Sequence, residues 1–158
     1  MTEEVLAAIG RVCVEYSLLE MQLEAAIWSV LVGTKLTEQA AGRIVTSELS
    51  FQKSLHLYQA LYRHRFPDRD DTELGKVCAQ AGRAEAERNV VIHSTWWQAE
   101  EGKVMRAKTT AKGKLKTTFE KLSASDVTEI AKRLHQAAEE VMNFHVHTLE
   151  PESPRLTL

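Results

Sequence analysis

Three side chains lying close together have the types that acid–base chemistry beside an anion requires. Arg88, Asn89 and His93 belong to the string Arg88-Asn89-Val90-Val91-Ile92-His93. They supply a cation with forked donors, a neutral donor and acceptor, and an imidazole, the group type that titrates near neutrality. Asn89 and His93 are four apart, so on a helix they share a face and can touch. With 100° per residue and Ala81 at zero, Arg88 falls at about −20°, between Leu74 at about +20° and Val77 at about −40°. An arginine in the middle of an apolar face calls for a partner. Glu20, within about 50° of the centre of an earlier helix's apolar line, is the candidate if those two helices pack. The other reading is that Arg88 snorkels to water at the end of a bundle.

The elements that must position these groups are mostly helical. Val5, Ile9, Val12, Tyr16, Leu19, Leu23, Ile27 and Val30 recur at spacings of three and four, with Thr2 as N-cap and Gly33 as stop. A short helix over about 37–47 turns Ala40, Ile44 and Val45 inward. Ser50 caps a third helix carrying Phe51, Leu55, Tyr58, Leu61 and Tyr62, and Pro67, Asp68, Asp70 and Asp71 make the turn after it. A fourth helix from Asp71 or Thr72 to about Thr95 carries Leu74, Val77, Cys78, Ala81, Ala84 and Ile92. From Trp96 to Leu122 the helical period gives way to β-formers, with Gly102 and Gly113 at hairpin spacing, which predicts two or three short antiparallel strands. The last helix opens over 123–126, with Asp126 and Glu129 spaced as a capping box, and continues with Val127, Ile130, Leu134, Ala138, Val141 and Phe144 until Pro151 ends it. The expected fold is all-α, an up-and-down four- to five-helix bundle with a small β-hairpin insertion before the last helix. The expected organisation is one domain over 1–150, the insertion at about 96–122, and a loose tail over 151–158.

Composition sets outer bounds. With 158 residues, 44% hydrophobic and 27% charged, the chain has the balance of a globular domain that needs neither disulfides nor metal for a core. Seven glycines and three prolines argue against collagen-like and low-complexity structure. Cys13 and Cys78 sit among apolar neighbours and read as reduced core thiols, hence a cytoplasmic protein. No signal peptide or membrane-length apolar run is visible. The net charge of −2 is unevenly spread. Residues 102–122 hold seven basic side chains and one acidic one, a local field suited to a polyanion. Lys103, Arg106, Lys108, Lys112, Lys114 and Lys116 are the candidate phosphate contacts on this hairpin. The bland alternative is a solvated hairpin whose lysines guard a strand edge.

The Arg-Asn-x-x-x-His string, late in a helical bundle, resembles the signature of the HEPN superfamily (higher eukaryotes and prokaryotes nucleotide-binding domains). The resemblance covers about residues 1–95 and the last helix. It implies a metal-independent endoribonuclease or RNA-binding effector of toxin or defence type, a homodimer bringing the motif from both subunits to one cleft, and a cognate antitoxin of nucleotidyltransferase type. It equally implies members that have lost catalysis and act as interaction or scaffold modules, so enzyme status stays open. On the catalytic reading His93 is the base for the RNA's own 2′-hydroxyl, Arg88 holds the pentacoordinate phosphate and Asn89 orients either, with no cofactor and no metal. Arg88 and His93 are about 140° apart round a helix, which a second copy across a two-fold axis would remedy. A common extension of the family motif has Tyr two residues past the His, where this chain has Thr95.

Other constellations carry less. His145 and His147, about 200° apart on a helix, cannot share a metal and look like a helix-end pair favoured by the dipole. No Glu-x-x-His occurs, which removes a carboxylate di-iron bundle. Arg63, His64, Arg65 and Arg69 read as a solvated basic loop, with extension of an RNA track as the functional alternative. Trp96 and Trp97 anchor the hairpin by alternate faces, with base stacking as the functional alternative.

Overall fold

The computed structural model describes residues 1–32, 39–98, 104–110 and 116–149. In order these form α1 (Glu3–Val32), α2 (Gln39–Thr46), α3 (Phe51–Arg65), α4 (Thr72–Ile92), β1 (Thr95–Gln98), β2 (Val104–Thr110), β3 (Lys116–Leu122) and α5 (Ala124–Leu149). The protein is thus predominantly helical, with one small antiparallel sheet inserted between α4 and α5. Two compact units divide it, one from Met1–Ser17 with Arg83–His135, the other from the described residues of Leu18–Gly82 with Gln136–Leu158.

In the first unit the start of α1 buries Val5, Ala8, Val12 and Tyr16, and Thr2 Oγ1 accepts the Val5 N–H at 3.4 Å as the N-cap. Ala8 takes the inward place expected of Ile9, and Cys13, one position past Val12, is exposed rather than in the core. A step of 100° off the buried line is enough to carry a side chain off the core face. Ala84 and Val91 from α4, Val104 from β2, and Val127, Ala131 and Leu134 from α5 complete this core. α4 stops at Ile92 instead of near Thr95, because its last turn finds other partners. Trp96 Nε1 donates to the Val91 carbonyl at 2.9 Å, and Ser94 Oγ donates to the Val90 carbonyl. Two carbonyls at a helix C-terminus are thereby satisfied by side chains, and the chain leaves directly into β1. At α5 the capping box forms three residues earlier than expected. Ser123 Oγ accepts the Asp126 N–H at 3.2 Å while Asp126 Oδ2 accepts the Ser123 N–H at 2.7 Å.

The sheet order is β1-β2-β3. Trp96 pairs with Arg106 and Arg106 with Glu120, so all three lie in one row on one face; Trp97, Met105 and Lys121 form a row on the other. Trp96 and Trp97 do point to opposite faces.

In the second unit α1 continues with Leu19, Leu23, Ala26, Ile27 and Val30 against Leu55, Tyr58 and Tyr62 of α3, Leu74, Val77, Cys78 and Ala81 of α4, and Ala137, Ala138 and Val141 of α5, as a shared buried set. Ser50 Oγ caps α3 by accepting the Lys53 N–H at 3.4 Å. Asp70 Oδ1 accepts the Thr72 N–H at 2.9 Å at the start of α4. α2 corrects the sequence reading. Ile44 is 76% exposed and Val45 is exposed too, whereas Thr46 is buried. The Thr46 hydroxyl takes the Trp28 indole N–H at 3.1 Å and the Arg43 guanidinium lies 5.2 Å from that ring's centre, so the helix docks by this polar edge and turns Ile44 outward. His145 also departs from expectation. It is half-buried, its Nδ1 has no hydrogen-bond partner among the described residues, and burial holds its pKa below the usual histidine value, which disfavours the charged form that a helix-end dipole pair requires. The stops and turns assigned to Gly33, Gly102 and Gly113 lie outside the described residues, as does the tail.

Candidate functional site

The last two turns of α4 carry Glu85, Arg88 and Asn89, and His93 stands in the turn that follows. The helix phase places Arg88 toward α1, where its guanidinium carbon lies 4.2 Å from the centre of the Tyr16 ring. That is cation–π distance, a contact that lets an arginine sit on an apolar surface without a carboxylate. Arg88 Nη1 donates to Asn89 Oδ1 at 2.9 Å, and Asn89 Nδ2 donates to Glu85 Oε1 at 3.0 Å. The carboxylate, the amide and the guanidinium form one relay along the helix surface. Arg88 Nε is buried and has no hydrogen-bond partner among the described residues. His93 is exposed, and its backbone N–H donates to the Asn89 carbonyl at 3.0 Å. The imidazole is therefore fixed at its base by the final helical bond and by the tight exit into β1, while its ring faces solvent.

Arg88 and Asn89 are brought together by their hydrogen bond. His93 meets Asn89 through its backbone N–H, and its side chain is exposed. Glu20 belongs to the second unit, where it lines a small cavity with Leu23, Glu24, Leu49, Phe51 and Ser54. Tyr16 takes the position against Arg88 that the sequence reading gave to Glu20. Two residues of the cluster escaped that reading. Glu85 was legible as the residue four before Asn89. Tyr16 was hidden because an aromatic on a buried stripe looks like core.

The basic hairpin divides by face. Arg106 is 8% exposed, ion-paired with Glu120 and 5.9 Å from the Trp96 ring centre. Alternation along β2 turns Arg106 to the inner face, where it pairs with Glu120. Lys108 shares that inner face and lines a cavity of about 620 Å³ with Glu87, Val90, Ile130 and Arg133. Arg133 and Glu87 bridge its helical wall at 2.6 Å. Lys116 is exposed at the start of β3. Lys103, Lys112 and Lys114 lie outside the described residues.

Among the described residues no cluster of three or more His, Cys, Asp or Glu could hold a metal ion, and no helix is long and apolar enough to cross a membrane. No family model matches the chain, and no curated protein or solved structure matches it.

Proposed function

We propose that the protein is an HEPN-like helical bundle acting on RNA as a metal-independent endoribonuclease, with Arg88 and His93 of two subunits lining one dimer cleft. The observation that carries this reading is the prepared Arg88. Its guanidinium is seated on Tyr16 and steered by Asn89 and Glu85, with Nε unpaired among the described residues, just before an exposed His93. A preset cation costs no reorganisation when charge builds on a phosphorane. His93 accepts the proton of the substrate 2′-hydroxyl, the 2′-oxygen bonds to phosphorus, and the P–O5′ bond breaks with the leaving oxygen protonated from solvent. Arg88 holds the equatorial oxygens. The products carry 2′,3′-cyclic phosphate and 5′-hydroxyl ends.

The test is RNA cleavage in the presence of a chelator, over structured and single-stranded substrates. Cleavage should persist with chelator and disappear in His93→Ala, whose exposed site predicts a stability change within about 0.5 kcal/mol. Cleavage that survives in His93→Ala, or that stops with chelator, overturns the mechanism.

One observation favours a second reading, a non-catalytic interaction module. Asn89 spends its oxygen on Arg88 and its amide on Glu85, so part of the motif's polarity is satisfied internally. A wild-type protein that cleaves none of the panel supports that reading.

A further inference from the structure

The sheet face turned away from Arg106 was absorbed by neither reading. Trp97 of β1 and Phe119 of β3 meet on it across the width of β2, ring centres 6.0 Å apart and interplanar angle 76°. The strand between them contributes Ala107, paired with Phe119, a side chain small enough to let the rings lean together. Both aromatics are open to solvent, Trp97 by 38% and Phe119 by 61%. In an edge-to-face pair one ring keeps a face uncovered, and an uncovered ring face stacks a nucleobase. Lys121 stands in the same row as Trp97, with Met105 between them. The lone acidic residue of the segment 102–122, Glu120, is turned to the opposite face and neutralised by Arg106. The described outer face therefore holds aromatics, hydroxyls and lysine with no carboxylate. The Thr109 and Thr117 hydroxyls, 3.0 Å apart, extend it as an exposed polar edge.

We propose that this outer face is a stacking platform for unpaired nucleotides of an RNA strand, with Trp97 and Phe119 taking bases and Lys121 taking phosphate. Lysine is depleted from the centres of protein–protein interfaces, so the Trp97–Lys121 row fits a polyanion better than a protein partner. A duplex hides its base faces, so the platform selects single-stranded segments. Trp97 is four residues after His93, so the chain alone keeps their backbones within about 14 Å. A strand stacked on Trp97 thus enters the neighbourhood of His93. This inference rests on the RNA-directed reading above and adds to it the class of substrate.

The probe is a fluorescein-labelled 2′-O-methylated oligouridine twelve-mer, which cannot be cleaved through its own hydroxyl, compared with the same strand in a duplex. Binding by anisotropy to the full chain should favour the single strand. Trp97→Ala and Phe119→Ala should each weaken it roughly five- to hundredfold. Trp97→Phe should stay within a few-fold, and Lys121→Gln should lower the salt dependence. Melting by circular dichroism checks that the variants fold; should the alanine variants not fold, Trp97→Phe and Lys121→Gln together carry the test. Wild-type protein that cleaves RNA while single strand and duplex bind alike, or while the alanine variants bind unchanged, overturns the platform and leaves the nuclease reading standing. Wild-type protein that neither binds nor cleaves any RNA overturns both. Loss of self-association in Trp97→Ala with RNA affinity intact makes the face a protein contact and overturns the platform.

Discussion

The guanidinium of Arg88 rests 4.2 Å from the centre of the Tyr16 ring, so the charged member of the motif is seated on an aromatic face and not on a carboxylate. The ring lowers the cost of holding a cation at a partly buried position while leaving Nε without a hydrogen-bond partner among the described residues. An ion pair would have offset the charge an anion needs to meet.

This contact should be measurable as a coupling energy. A double-mutant cycle over Arg88→Met and Tyr16→Leu, read by urea denaturation, should give about 0.5–2 kcal/mol. Tyr16→Phe should retain most of it, because the ring face and not the hydroxyl makes the contact. A coupling near zero would mean that Arg88 is held by Asn89 alone.

If one cleft takes Arg88 from one subunit and His93 from the other, inactive variants should complement. Mixing Arg88→Ala with His93→Ala after subunit exchange places one intact pairing in each heterodimer. Half of the dimers are then half-active, so about a quarter of wild-type cleavage returns. Light scattering should show a dimer at micromolar concentration. No recovery in a proven heterodimer would put both residues of each site on one chain.

RNA affinity should fall steeply with salt, in proportion to the phosphates neutralised. Neutralising Lys112, Lys114 and Lys116 together should reduce the log–log salt slope by up to about 2, at roughly 0.7 per single-strand phosphate. Neutralising Arg106 should leave that slope alone and lower the melting temperature instead, because its partner is Glu120. An unchanged slope in the triple variant would make those lysines a guard on the sheet edge.

Stability should depend on pH through His145. Burial holds its folded pKa below the unfolded value of 6.5, so the unfolded chain binds the proton more readily. The contribution is fully present above about pH 6.5 and is lost as pH falls below it toward the folded pKa. Melting temperature should decline over that interval in the wild type and decline less in His145→Gln. Equal declines would place the acid sensitivity elsewhere.

The sequence by itself determined the helices and their inward faces wherever a long, regular period was present. Val5, Val12, Tyr16, Leu19, Leu23, Ile27 and Val30 are all buried as their spacing required. The change of period from Trp96 foretold the strands, and Ser50 and Thr2 cap the helices they precede. These features are local: spacing, capping chemistry and turn residues act within a few positions of the chain. Tertiary structure decided what faces what. Which residue meets Arg88 depends on how α1 and α4 pack, and Tyr16 rather than Glu20 holds the place. The inward turn of Arg106 depends on strand register, since one step of slip exchanges the two faces of a sheet. The meeting of Trp97 with Phe119 joins residues on strands that are not adjacent in the sheet. Short α2 buries Thr46 instead of Ile44, and the Thr46 hydroxyl accepts the indole N–H of Trp28, eighteen residues earlier. Each of these depends on a contact distant in sequence, and residue spacing within one segment carries no record of such a contact.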